Sequence, residues 1–126
     1  MGGILLRGKN ELSTRQGAQT PGMVRGEAAL GENSSAVEVR TQPGTLSGWH
    51  HHGAHDTYGY VVSGRLRFEF GPGGGDVVEA EPGDFFMVPA NAIHREGNPA
   101  SDEQILVGFR VGTGPTVFNV DGPEGS

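Results

Sequence analysis

The chain has 126 residues, a formal net charge of −6 and no cysteine. One core of modest size is all that this length supports. The acidic balance excludes a nucleic-acid phosphate footprint, and the lack of cysteine excludes disulfides, thiolate ligands and cysteine nucleophiles. Ile4-Leu5-Leu6 is too short for a signal core or a membrane span, and Leu6 stands where a myristoylation signal wants Ser or Thr, so a cytoplasmic protein is expected. Glycine (23) and proline (8) are abundant, but they punctuate short apolar runs as turn residues do in a many-stranded antiparallel domain.

Residues 1–35 are weakly patterned and are expected to form an N-terminal arm or strand, packing on the main body or on a dimer partner. An early strand is expected over 23–30. From Ala36 the alternation is clear: Val37 and Val39 against Glu38 and Arg40. Pro43-Gly44 turns the chain, and residues 45–52 read as a second strand. A third runs over 57–63, ended by Gly64. Leu66, Phe68 and Phe70 alternate with Arg65, Arg67 and Glu69 in a fourth.

The glycine run 71–75 lies between two strand patterns, with no lysine and no following helix, and reads as a hairpin loop rather than a phosphate cradle. Val77-Val78 starts another strand, Pro82-Gly83 turns, and Phe85–Val88 reads as buried. A further turn over 89–92 leads into Ile93-His94, and the last strands cover 105–111 and 116–120. The tail from Asp121 reads as flexible. No segment has a helical period, so the pattern predicts an all-β sandwich or barrel.

All five histidines fall in two short segments: His50, His51, His52 and His55, then His94. Residues two apart on a strand share a face, so His50 and His52 point together while Trp49 and His51 point away. Two imidazoles so placed chelate one ion if a third ligand arrives from elsewhere, and His94 is the only distant histidine. Three histidines inside a patterned strand are not a purification tag. Tyr58 and Tyr60 alternate beyond them, one at least being expected in the core. Phe68, Phe70, Phe85, Phe86 and Met87 are expected in the core, with Phe85 or Met87 lining a cavity. Arg65, Arg67, Arg95 and Glu96 are expected on solvated or ion-paired strand faces. No serine has a base beside it other than these histidines, and no paired carboxylates stand out, so a hydrolase triad and glycoside chemistry are unsupported.

In these segments the chain resembles the cupin family of small jelly-roll barrels, which carry two short motifs. The first runs glycine, five residues, His-x-His, three or four residues, Glu, six residues, glycine. Here Gly44, His50, His52 and Gly64 keep that spacing. The second runs glycine, five residues, Pro-x-Gly, two residues, His, three residues, Asn. Gly83, Pro89, His94 and Asn98 match it, with Asn91 in place of the inner glycine, and asparagine tolerates the left-handed conformation such a turn needs. The resemblance covers about residues 36–120. It implies a double-stranded β-helix holding one divalent transition metal: iron, nickel, zinc, copper or manganese.

One position departs from the family. The motif glutamate falls at Thr57, a poor ligand. His50, His52 and His94 are expected as the metal core, with His55 as fourth ligand and Asp56 as its rival or outer partner. An all-imidazole shell would leave the ion its full double charge and favour an anionic chelating substrate. The resemblance implies a metal-dependent small-molecule enzyme, foremost a dioxygenase-like oxidoreductase. A non-catalytic binding or sensing barrel, or a metal-dependent isomerase or epimerase, are the alternatives. A small-molecule ligand and a homodimer, with neither nucleic acid nor membrane, complete the expectation.

Overall fold

The computed structural model describes residues 3–16 and 20–125, with the side chains of 14–16 left aside. Met1-Gly2, the stretch 17–19 within the expected arm, and Ser126 of the expected tail lie outside the described residues. Among the described residues there are eleven strands: β1 (Ser13–Gln16), β2 (Met23–Ala29), β3 (Ser34–Thr41), β4 (His50–His51), β5 (Asp56–Ser63), β6 (Leu66–Phe70), β7 (Asp76–Ala80), β8 (Phe85–Val88), β9 (His94–Gly97), β10 (Gln104–Val111) and β11 (Phe118–Asn119). Among the described residues there is no α-helix, and no helix long and apolar enough to cross a membrane.

The strands form two antiparallel sheets, as the alternating pattern predicts. A six-stranded sheet runs β1-β2-β3-β10-β5-β8, and a five-stranded sheet runs β11-β4-β9-β6-β7. Their facing sides enclose Met23, Val37, Val39, Val61, Leu66, Phe68, Ala80, Val88 and Leu106, with Phe70, Phe86 and Ala92 packed against them. Every second residue of β3 (Val37, Val39, Thr41) and of β10 (Gln104, Leu106, Arg110) is buried, the mark of a strand with one face inward. The glycine run closes the β6–β7 hairpin through a short 3₁₀ turn at Pro72–Gly74, as its position between strand patterns suggests.

Two expectations about these elements are corrected. Residues 45–52 are not one regular strand. Leu46 bridges Gly97 while His50 pairs with His94, so four steps on this segment oppose three on β9. That extra residue is a bulge, and it breaks the simple alternation before β4. Within it, Ser47 holds β9 twice: its N–H donates to the Glu96 carbonyl (2.8 Å), and its Oγ accepts from the Glu96 N–H (3.0 Å). Phe85 and Met87 are not core residues either, being 82 % and 48 % exposed. β8 is an edge strand whose inward positions are Phe86 and Val88. The Phe86 ring lies over Gly59 of β5, where an added Cβ would sit 2.1 Å from Cζ.

Candidate metal centre

Three strand-borne imidazoles and one carboxylate converge inside the barrel. One ligand atom from each of His50, His52, His94 and Glu96 lies within 4.8 Å of the others, and all four residues are buried. The ring centroids are 4.4 Å apart for His50–His94 and 5.1 Å for both His50–His52 and His52–His94. The β4–β9 pairing of His50 with His94 joins the two distant histidine segments. His52 follows β4 and turns inward on the same side.

The backbone sets the tautomer of each ring. His50 Nδ1 meets the Gly48 carbonyl at 2.9 Å, His52 Nδ1 meets Thr116 O at 2.8 Å, and His94 Nδ1 meets Ala92 O at 2.9 Å. A carbonyl only accepts, so each Nδ1 carries the hydrogen and each Nε2 presents a lone pair. The Nε2 atoms of His50 and His94 are fully buried with no hydrogen-bond partner. Buried lone pairs facing one another with no donor between them are costly to leave bare, and a divalent cation satisfies all of them. The residues present therefore fit a metal ion.

Electrostatics keep the set ready to bind. Burial, followed by the charge of Arg110 and the neighbouring rings of His94 and His50, pushes the His52 pKa down to about 3, so the ring is neutral at physiological pH. Burial pushes the Glu96 carboxyl up, but the charge of Arg25 beside it opposes this and holds the group below the usual carboxylate range. Glu96 Oε1 lies 3.5 Å from His50 Nε2 and 3.8 Å from both His94 Nε2 and Arg25 Nη2.

His55 stands outside this group. It is buried, but its Nδ1 faces the His52 carbonyl (3.0 Å), and the ring lines a separate polar cavity with Arg110, Ser34 and Ser35. The turn at Gly53, with φ +59°, redirects the chain between His52 and His55. Asp56 is not in the group either: its Oδ1 accepts the Ala90 N–H at 2.9 Å and ties down the turn before His94. Thr57 faces inward from β5, as the family glutamate would, and its hydroxyl has no partner. The carboxylate comes instead from Glu96, expected on a solvated or ion-paired strand face; it is paired with Arg25, but buried. One signal was available. Glu96 is two residues past His94 on one strand, so it shares that histidine's face.

Asn91, the other departure from the motif, has φ +61° and is the only non-glycine at positive φ among the described residues. Asn98 at the motif's end is structural. Its Nδ2 donates to Thr41 O (3.0 Å) and Asp102 O (2.7 Å). Trp49 and His51 point away from the centre as expected, Trp49 under the Arg95 guanidinium (4.5 Å) and His51 stacked on Phe118 (5.0 Å).

Two further buried charges were not foreseen. Arg25 and Arg110 are 1 % and 2 % exposed. Arg110 Nη1 donates to Glu27 Oε1 at 2.8 Å. Two arginines and two glutamates thus cancel inside the barrel, and a divalent ion on neutral imidazoles would keep its whole charge uncompensated by protein. Beside His94, a cavity of about 360 Å³ opens between the sheets, lined by Phe68, Phe70, Phe86, Met87 and Ile93 among others.

A family model described as a cupin domain matches residues 37–107, more than half of the chain. No curated protein matches the sequence significantly. Among solved structures, an uncharacterised conserved protein with a double-stranded β-helix domain from Klebsiella pneumoniae aligns with a TM-score of 0.68 and 19 % identity, over 80 % of this chain and 86 % of that one. KdgF from Halomonas sp. aligns with a TM-score of 0.67 and 25 % identity, over 84 % and 93 %. Oxalate decarboxylase of Bacillus subtilis, in a structure concerned with its Mn(II) centres, gives 0.70 and 18 % identity over 80 % of this chain, which spans only 29 % of that protein. These likenesses establish the fold.

Proposed function

The chain belongs to the cupin family, and from that premise we propose that it is a mononuclear metal enzyme acting on a small anionic substrate, foremost as a dioxygenase-like oxidoreductase. The observation that carries this reading is the convergence of His50, His52 and His94, each held by a backbone carbonyl with Nε2 inward, on the Glu96 carboxylate. When bound, the ion would supply Lewis acidity and, if it is iron or manganese, access to one-electron chemistry.

The protein's own part follows from its residues. His50, His52, His94 and Glu96 would hold the ion, beside the cavity that would receive the substrate. Phe68, Phe86 and Met87 wall the adjoining cavity and keep bulk water from the apolar end of a substrate. The neutral balance of Arg25, Arg110, Glu27 and Glu96 makes an anion the favoured guest. The barrel is proposed to work as a homodimer. The outer side of the six-stranded sheet exposes Tyr58, Val62, Val107, Phe109 and Val111, an apolar face that a second copy would cover.

Isomerisation or epimerisation is the second reading, favoured by one observation: His55 lies buried in a polar cavity with Arg110, a candidate acid or base that is not spent as a ligand. Oxygen uptake by iron-loaded protein, measured against diketones, flavonols and small thiols, separates the two. Uptake dependent on both substrate and metal is expected. No uptake with any metal would turn the case toward isomerisation or plain ligand binding. Elemental analysis of protein purified without chelator tests the site itself, with about one equivalent of a transition metal expected.

A further inference from the structure

The cavity of about 360 Å³ beside His94 lies where the two sheets end. β7 is the edge of the five-stranded sheet and β8 the edge of the six-stranded one, and they supply Val78 and Met87 to its lining. Both side chains are about half exposed, so this is the open end. Further in, Phe68, Phe70, Phe86 and Ile93 form the walls. The Phe68 ring stands 5.7 Å from the His94 ring, and Phe70 pairs with His94 across β6 and β9, so the apolar wall runs directly onto the metal centre.

Size and charge together define the guest. Apolar cavities of roughly 150 Å³ admit a benzene-sized molecule, so this one has room for a ring and the atoms that link it to the ion. Among the described residues that line the cavity, only His94 and Glu124 ionise, and neither offers a cation to a carboxylate. His94 Nδ1 is taken by the Ala92 carbonyl, and its Nε2 belongs to the metal set. Glu124 is exposed at the rim, where its backbone carbonyl accepts the Gly73 N–H at 2.7 Å. A second negative charge on the guest would thus lose its water among apolar walls and meet a carboxylate at the rim.

We propose that the substrate carries one anionic head for the ion and one compact apolar body, a single ring or a branched chain, seated in this cavity, and that Glu124 bars acids with a second carboxylate on that body. This rests on the metal-site reading above and deepens its substrate class from small anions to single-headed, apolar-bodied ones.

The test is calorimetric titration of zinc-loaded protein, its zinc content measured, with acetohydroxamate, benzohydroxamate and para-carboxybenzohydroxamate. The three share one metal-binding head and differ only in the body. Benzohydroxamate is expected to bind about tenfold or more tightly than acetohydroxamate, because a ring is buried in place of a methyl group. The para-carboxylate is expected to cost about tenfold or more. Glu124→Lys, a change at an exposed position, is expected to recover about threefold or more of that loss and to leave benzohydroxamate within about twofold of wild type. Val78→Asp, on an exposed edge strand, is expected to weaken benzohydroxamate about fivefold or more at unchanged acetohydroxamate affinity and zinc content.

Equal affinity for acetohydroxamate and benzohydroxamate, a para-carboxylate that costs nothing, or no benzohydroxamate binding at all would overturn the inference while the measured zinc leaves the metal site standing. A para-carboxylate penalty unmoved by Glu124→Lys would overturn the role of that residue. Absence of bound zinc would overturn the metal reading instead. The cavity is then judged in the metal-free protein by the methyl NMR signals of Met87 and Ile93. Benzamide is expected to shift them and para-carboxybenzamide to leave them in place; no shift with benzamide would overturn the apolar seat as well.

Discussion

Replacing Glu96 with glutamine is the sharpest probe of the interior. The change keeps volume and removes one charge. In metal-free protein it strands Arg25, which is 1 % exposed and faces the Glu96 carboxylate at 3.8 Å. Breaking a buried pair by removing one partner costs about 3–5 kcal/mol, because the remaining charge stays buried and uncompensated. With an unfolding entropy of roughly 2.1 cal/mol/K per residue, a chain of 126 residues loses on the order of 11–19 °C in melting temperature for that amount.

The assay is calorimetric melting of metal-stripped protein for the wild type, Glu96→Gln, Arg25→Met and the double variant. The pair term should appear as a coupling of about 2 kcal/mol or more, the double variant losing that much less than the sum of the single losses. Zinc at 100 times its dissociation constant should add about 2.7 kcal/mol to the wild type. It should add less to Glu96→Gln at equal zinc, since one ligand has gone. A melting temperature for stripped Glu96→Gln within a few degrees of wild type, or strict additivity with Arg25→Met, would refute the buried-charge reasoning.

Three other outcomes follow from the same geometry. His94→Ala should abolish stoichiometric metal binding, whereas His55→Ala should retain about one equivalent; elemental analysis after dialysis decides, and loss in both would return His55 to the ligand set. The second concerns acid. His52 titrates near 3 when folded against an ordinary value of 6.5, so between these the unfolded chain binds more protons. Stability of the stripped protein should therefore fall as pH drops below 6.5, by up to about 1.4 kcal/mol per pH unit, and the His52 contribution should level off near pH 3. Urea melts at pH 7, 6 and 5 would read this, a flat midpoint counting against it. Third, Gly59→Ala drives a methyl to 2.1 Å from the Phe86 ring, so that ring must swing toward the cavity beside His94. A loss of about 1–3 kcal/mol is expected, together with weaker binding of apolar-tailed ligands at unchanged metal content. Wild-type stability in urea would show that the ring has room to yield.

Much of the molecule can be read from the chain alone because its code is local. Alternation at Val37 and Val39, at Leu66 and Phe68, and at Leu106 follows from a period of two and needs no knowledge of partners. Gly44, Gly64 and Gly83 adopt positive φ, as their turn positions suggest, and Asn91 takes the one such conformation where the motif has glycine. The grouping of His50 and His52 with distant His94 is likewise legible, since few residue types present a lone pair inside a barrel and this chain keeps all of its imidazoles in two segments.

The fourth member of the centre was decided only in three dimensions. His55 is nearer in sequence, but a glycine turn carries it past the site to the neighbouring cavity. Glu96 looks like a surface residue beside Arg95, yet the pairing of β9 with both β4 and β6 buries its face. Whether a charged side chain on a strand meets water or an ion depends on what lies across the barrel. Arg25 was equally silent in the sequence, because its partner Glu96 lies on the opposite sheet and only closure of the two sheets brings the charges within reach of each other.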